Sequence, residues 1–135
     1  MNEDATTIRR RAVMTRALLR SAARLGLRRE QLAAATGLAL HEIAAFDCDA
    51  RRLDPDDPRW GDCVLLIRLC KALEEFAAGD PVAMRTWMLE FNDDLQDVPA
   101  GMLGRPRQLA DLVTYLERCR AQALGSAYPI TSMLH

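Results

Sequence analysis

Imidazoles, thiols and clustered carboxylates are the groups from which catalytic and metal sites are built, and this chain has few of them in useful order. His41 and His135 are the two histidines. Cys48, Cys63, Cys70 and Cys119 have neither the close pairing of a zinc site nor the spacing of a secreted disulfide framework. Cys63 and Cys70 fall two helical turns apart, roughly 10 Å by helical rise, too far for a disulfide. Buried thiols in a reducing cytosol are the expectation. Asp54, Asp56, Asp57 and Asp62 crowd one turn but lack the ordered Gly and distal Glu of a calcium loop, so the expectation is a solvated acidic turn. No nucleophile–base pairing and no phosphate-cradling Gly loop is visible, which argues against an enzyme and implies no cofactor.

The elements that would carry any site are helical. Strand patterning is nearly absent and three- and four-residue apolar steps recur throughout, predicting an all-α fold. A first helix is expected over Thr6 to Leu25, with Ile8, Ala12, Leu18, Leu19, Ala22 and Leu25 inward and Gly26 as its stop. Arg16, Arg20, Arg24 and Arg28 recur every fourth residue as a stripe away from that face, either a solvated surface or a contact for phosphates. The run DPDDP, Asp54 to Pro58, is a turn. Trp60 leads a helix to about Ala78 with Val64, Ile67, Leu69, Cys70, Leu73 and Phe76 inward. Gly79, Asp80 and Pro81 are a stop, a cap and a first-turn residue for a helix to about Glu90 or Phe91. Pro106 is placed in the first turn of a last helix whose inward face is Leu109, Leu112, Val113, Leu116 and Cys119.

With 135 residues, half of them apolar, the chain suits one domain or two small packed subdomains. The formal charge of -1 hides an asymmetry: residues 1–31 hold eight Arg against three carboxylates, leaving +5 there and -6 in the remainder. That separation points to two different partners. No apolar run reaches membrane-span length, and the Arg-rich start lacks a signal-peptide core, so a cytoplasmic protein is expected.

Leu25 to Phe46, LGLRREQLAAATGLALHEIAAF, resembles the helix-turn-helix of the Xre repressor family. Arg29 to Thr36 would be the first helix, Gly37 the turn and Leu40 to Phe46 the second helix, with Leu32, Ala33, Leu38, Ile43 and Phe46 in the buried positions. In that motif the second helix reads base edges. Here it offers Leu40, His41, Glu42, Ala44 and Ala45, of which only His41 and Glu42 can hydrogen-bond, and Ala39 lacks a capping oxygen. Two outcomes stay open: a retained scaffold, or DNA binding through Arg16, Arg20, Arg24, Arg28, Arg29, His41, Arg51 and Arg52, mostly to the phosphate backbone.

Gly79 to Cys119, GDPVAMRTWMLEFNDDLQDVPAGMLGRPRQLADLVTYLERC, resembles the toxin-binding domain of the MbcA/ParS/Xre antitoxin family through Asp80, Trp87 to Leu89, Asn92, Leu95, Pro99, Met102 to Gly104, Leu109, Val113 and Leu116. Phe91 stands where the family has Pro, and Asp93 and Asp94 replace a Gly-rich turn. The resemblance implies an Xre-like region over 1–78, a toxin-binding domain over 79–122 and a tail over 123–135. It further implies an antitoxin that inhibits an NAD-consuming RES-domain toxin, encoded by an adjacent gene, by covering its active site. A homodimer or a larger hetero-oligomer with the toxin is expected. The toxin-facing residues would be Trp87, Asn92, Asp93, Asp94, Leu95, Pro99 and Leu103, joined by Tyr128, Ile130, Met133, Leu134 and His135 in the tail. Trp87 is expected to be a largely buried anchor for the Asn92 to Pro99 loop. The tail is either an arm for a partner or a frayed end. The alternative is an Xre-like repressor whose C-terminal part only dimerises.

Overall fold

The structure, a computed structural model, describes residues 5–126, with side chains to residue 122. Seven helices occupy that span: α1 (Ala5–Leu25), α2 (Arg29–Thr36), α3 (Leu40–Asp47), α4 (Trp60–Phe76), α5 (Pro81–Leu89), α6 (Pro99–Met102) and α7 (Gln108–Ser126). Among the described residues there is no strand; one isolated antiparallel bridge joins Asn92 and Asp97. No helix there is long and apolar enough to cross a membrane.

α4 is the hub because it is apolar around much of its circumference. Cys63, Leu66, Leu69, Cys70, Ala72 and Leu73 are all buried, more than one stripe can supply, so α4 is sandwiched between α1 and α7. α1 meets it through Leu18, Ala22 and Leu25, and α7 through the Leu109, Leu112, Val113 and Leu116 face. α2 packs on α4 and carries α3, while α5 packs on α1 and α6. These buried residues form one continuous core to which both 1–78 and 79–122 contribute.

Local chemistry sets the helix boundaries. Gly26, Gly37 and Gly79 adopt left-handed backbone at φ 75°, 81° and 78°, where a Cβ would be strained. Asp80 caps α5 by accepting from the Val82 and Ala83 amides at 3.0 and 3.4 Å. The end of α1 is closed from elsewhere in the chain: Arg85 of α5 donates to the Ala23 carbonyl at 3.1 Å, with its stem lying over Gly26. Thr15, buried on α1, donates to the Arg11 carbonyl at 2.7 Å and accepts from the Leu53 amide at 2.8 Å, pinning the segment after α3.

Some inward positions differ from the pattern. Ile8 and Phe76 are exposed, Ile8 in the first turns of α1 and Phe76 at the last residue of α4. Pro106 lies before α7, which begins at Gln108 after Arg107 takes a positive φ of 67°. Cys63 and Cys70 are buried, and burial pushes the Cys63 thiol up to about 12 and Cys70 upward as well. Cys48 is exposed and Cys119 half-buried, against the expectation of four buried thiols.

Candidate partner-binding surfaces

The loop between α5 and α6 folds into a closed turn. The Asn92 amide donates to the Asp97 carbonyl at 2.9 Å, and the Asn92 side-chain oxygen accepts from the Leu95 amide at 3.1 Å. Gln96 supplies the reversal at φ 54°, Leu95 packs partly against the core, and Asp97 is held by the Val98 amide and the Arg105 guanidinium. Asp97 is therefore kept below the usual carboxylate range.

This turn leaves a cavity of about 390 Å³ walled by Trp87, Phe91 and Tyr115, with Glu90, Asp93 and Asp94 at its edge. Asp94 accepts from the Tyr115 hydroxyl at 2.8 Å, and burial together with that carboxylate raises the Tyr115 pKa. Phe91 is 59% exposed, and Leu89, the last residue of α5, is exposed as well. Aromatic faces next to unscreened carboxylates suit a partner that brings cationic and apolar side chains together.

Of the expected toxin-facing residues, Asp93 and Asp94 are exposed and Asn92 is half-buried, all lining this cavity, with Leu95 half-buried in the same turn. Trp87 packs against the core without being fully buried, in keeping with a largely buried anchor: at 100° per residue, Met84 and Met88 define the inward line of α5 and Trp87 sits on its flank. Pro99 and Leu103 are buried in the core and cannot present themselves to a partner. Tyr128, Ile130, Met133, Leu134 and His135 lie outside the described residues.

The expected DNA-facing set is dispersed. Arg24 pairs with Glu74 of α4 and is half-buried, so the stripe does not simply face away from the core. Arg29 pairs with Asp47 at 2.7 Å, Arg51 with Glu42 at 3.3 Å and Arg52 with Asp49 at 3.3 Å. Each of these four cations already faces a carboxylate that repels phosphate. Arg28 is exposed before α2, and His41 is exposed on α3 beside Leu40. Arg16 and Arg20 instead border an open groove of about 430 Å³ between α1 and α4, whose other cations are Lys71 and the Glu74-paired Arg24.

A polar cluster that the sequence did not reveal sits beside α3. Glu42, 6% exposed, receives Arg59 in a two-point pair at 2.6 and 2.9 Å. It also accepts from the Ala39 amide at 3.0 Å, the half of a capping box that does not need the missing Ser oxygen. Arg59 reaches back to Asp57 at 2.9 and 2.7 Å. The Arg59 guanidinium is the main cause that lowers both Glu42 and Asp57 to about 2. Glu42 is thus a structural anchor, not a cytosine acceptor, and Asp57 is tied into an ion network, not a solvated turn. Among the described residues no group of side chains could hold a metal ion. A Glu three residues into α3 was the available signal, but its partner lies 17 residues away.

No protein-family model and no curated protein matches this chain.

Proposed function

We propose that the chain is an antitoxin that neutralises a RES-domain toxin by docking the α5–α6 turn against it and covering its NAD site. The observation that carries this reading is the exposed aromatic–acidic surface of Phe91, Glu90, Asp93 and Asp94, held on a hydrogen-bonded turn within the stretch that resembles antitoxins. A fixed turn loses little entropy on docking, and an apolar residue ringed by carboxylates fits an arginine-bearing surface. Inhibition by coverage needs no chemistry from this chain.

The test is rescue of cells expressing the toxin of the adjacent gene by full-length chain. Phe91→Glu and Asp93→Arg are expected to weaken rescue while the melting curve is unchanged. Full rescue by the double variant would sink the assignment to this surface. The second reading, a DNA-binding repressor of the Xre type, draws support from α2 and α3, two helices joined through left-handed Gly37 with His41 exposed on α3. Because α3 exposes few side chains able to read base edges, any DNA contact should be largely electrostatic. It should weaken steeply with salt and vary little with sequence in a mobility-shift assay.

A further inference from the structure

The groove between α1 and α4 is lined by apolar Val13, Ala17 and Ile67 together with the cations Arg16, Arg20 and Lys71. The one acidic residue of its lining, Glu74, is neutralised by Arg24. Among the described residues, none of Arg16, Arg20 and Lys71 pairs with a carboxylate of this chain. The groove therefore presents three unmatched cations beside an apolar lining. On the α5–α6 turn the pattern is inverted: an exposed Phe91 is surrounded by three carboxylates, Glu90, Asp93 and Asp94.

The two surfaces share no residue. They also use different sides of the scaffold. Ile67, Cys70, Lys71 and Glu74 of α4 look toward the groove, whereas Arg68 and Glu75 of α4 reach Glu117 and Arg120 of α7, the helix that contributes Tyr115 to the turn's cavity. A surface and its complement on different parts of one molecule make a heterologous contact possible, because each copy then has one of each to offer.

The geometry points to the occupant of the groove being the α5–α6 turn of a second copy of this chain, with Phe91 against the apolar lining and its carboxylates against Arg16, Arg20 and Lys71. The contact is head-to-tail, so a dimer keeps one groove and one turn free and association continues with concentration. Few residues are involved and the charges lie at the rim, so the association is weak and salt-sensitive. It goes beyond the antitoxin reading and does not depend on it. Where both hold, the toxin and the second copy compete for the same turn.

The experiment is sedimentation velocity of the full chain from low micromolar to near millimolar concentration, at low and high salt. The wild type is expected to pass from monomer to dimer and larger species, reversed by salt. The groove variant Arg16→Glu/Arg20→Glu and the turn variant Phe91→Ser/Asp93→Lys should each stay monomeric, with the midpoint concentration raised about tenfold or more. An equimolar mixture of the two variants restores a single contact, intact turn to intact groove, and should give a dimer that does not grow. Melting curves establish that both variants fold; should either fail to, Arg16→Gln/Arg20→Gln or Asp93→Asn takes its place. A wild type that is monomeric throughout overturns the proposal. So does a turn variant that associates as well as the wild type, which would indicate a symmetric groove-to-groove pair. Since only this chain is present, a negative result leaves toxin rescue to be judged separately.

Discussion

Glu42 shows how a single side chain changes role once its surroundings are known. Its carboxyl is lowered from 4.5 to about 2, and that of Asp57 from 3.8 to about 2, so the folded protein holds fewer protons than the unfolded chain between those values. The stabilisation is in place above the unfolded values, about pH 4.5 and 3.8, and is lost as pH falls through about 2. Glu42→Gln should cost on the order of 2 kcal/mol in urea denaturation at neutral pH, a difference that shrinks as the acid limit is approached. A cost that stays constant with pH would show that the charge is not what stabilises. Arg59→Met should cost more, since it removes the main cationic partner of two carboxylates, one of them buried. Because Trp87 packs against the core from the flank of α5 without being fully buried, its truncation should cost less than the roughly 2 to 5 kcal/mol of the fully buried Met88→Ala. Thermal melts of the two variants side by side check that order, and equal losses would mean that Trp87 belongs to the core after all.

At the scale of the element, the chain is most legible where one helix end is decided by its own neighbours. Gly37 and the Gly79-Asp80-Pro81 run mark boundaries that the structure reproduces, because a left-handed residue or a capping carboxylate acts over three or four positions. The spans of α2 and α3 follow from the same logic. What the pattern could not show depends on distant partners: the burial of Glu42 under Arg59, the exposure of Ile8 and Phe76, and the withdrawal of Pro99 and Leu103 into the core. The turn carrying Asp93 and Asp94 is expected only through the family resemblance, and the groove is not expected at all, since its walls come from helices far apart in sequence. The half-made capping box of α3 offers a clean test. Ala39 has extended backbone at φ -78° and ψ 154° and no side-chain oxygen. Ala39→Ser adds the missing acceptor for the first amides of α3 and should raise stability by about 0.5 to 1 kcal/mol, read as a higher melting temperature. An unchanged or lower value would mean that this end of α3 is already satisfied.

The whole molecule is organised around α4, and this decides which fragments can exist. Sequence punctuation at Gly79 divides the chain into 1–78 and 79–122, yet the core does not respect the division. α7, at the end of the second segment, has its main packing partner in α4 of the first, and α1 is closed by Arg85 of α5. Cutting after Ala78 would uncover Leu66, Leu69 and Leu73 on one piece and Leu112, Val113 and Leu116 on the other. At roughly 1.5 to 3 kcal/mol for each large aliphatic side chain, the loss is on the order of 10 kcal/mol, as large as the entire stability of an ordinary domain. Surface pairs across the same seam, Arg68 with Glu117 and Arg120 with Glu75, add little to that sum. The piece 79–135 should therefore lack a cooperative thermal transition and show reduced helical circular dichroism alone. Mixing it with 1–78 should recover part of the signal, because the two halves complete each other's core. A cooperative melt of 79–135 by itself would mean that the seam contributes far less than its apolar area implies. Partner specificity should consequently be measured with substitutions in the full chain, where a lost interaction can be told apart from a lost fold.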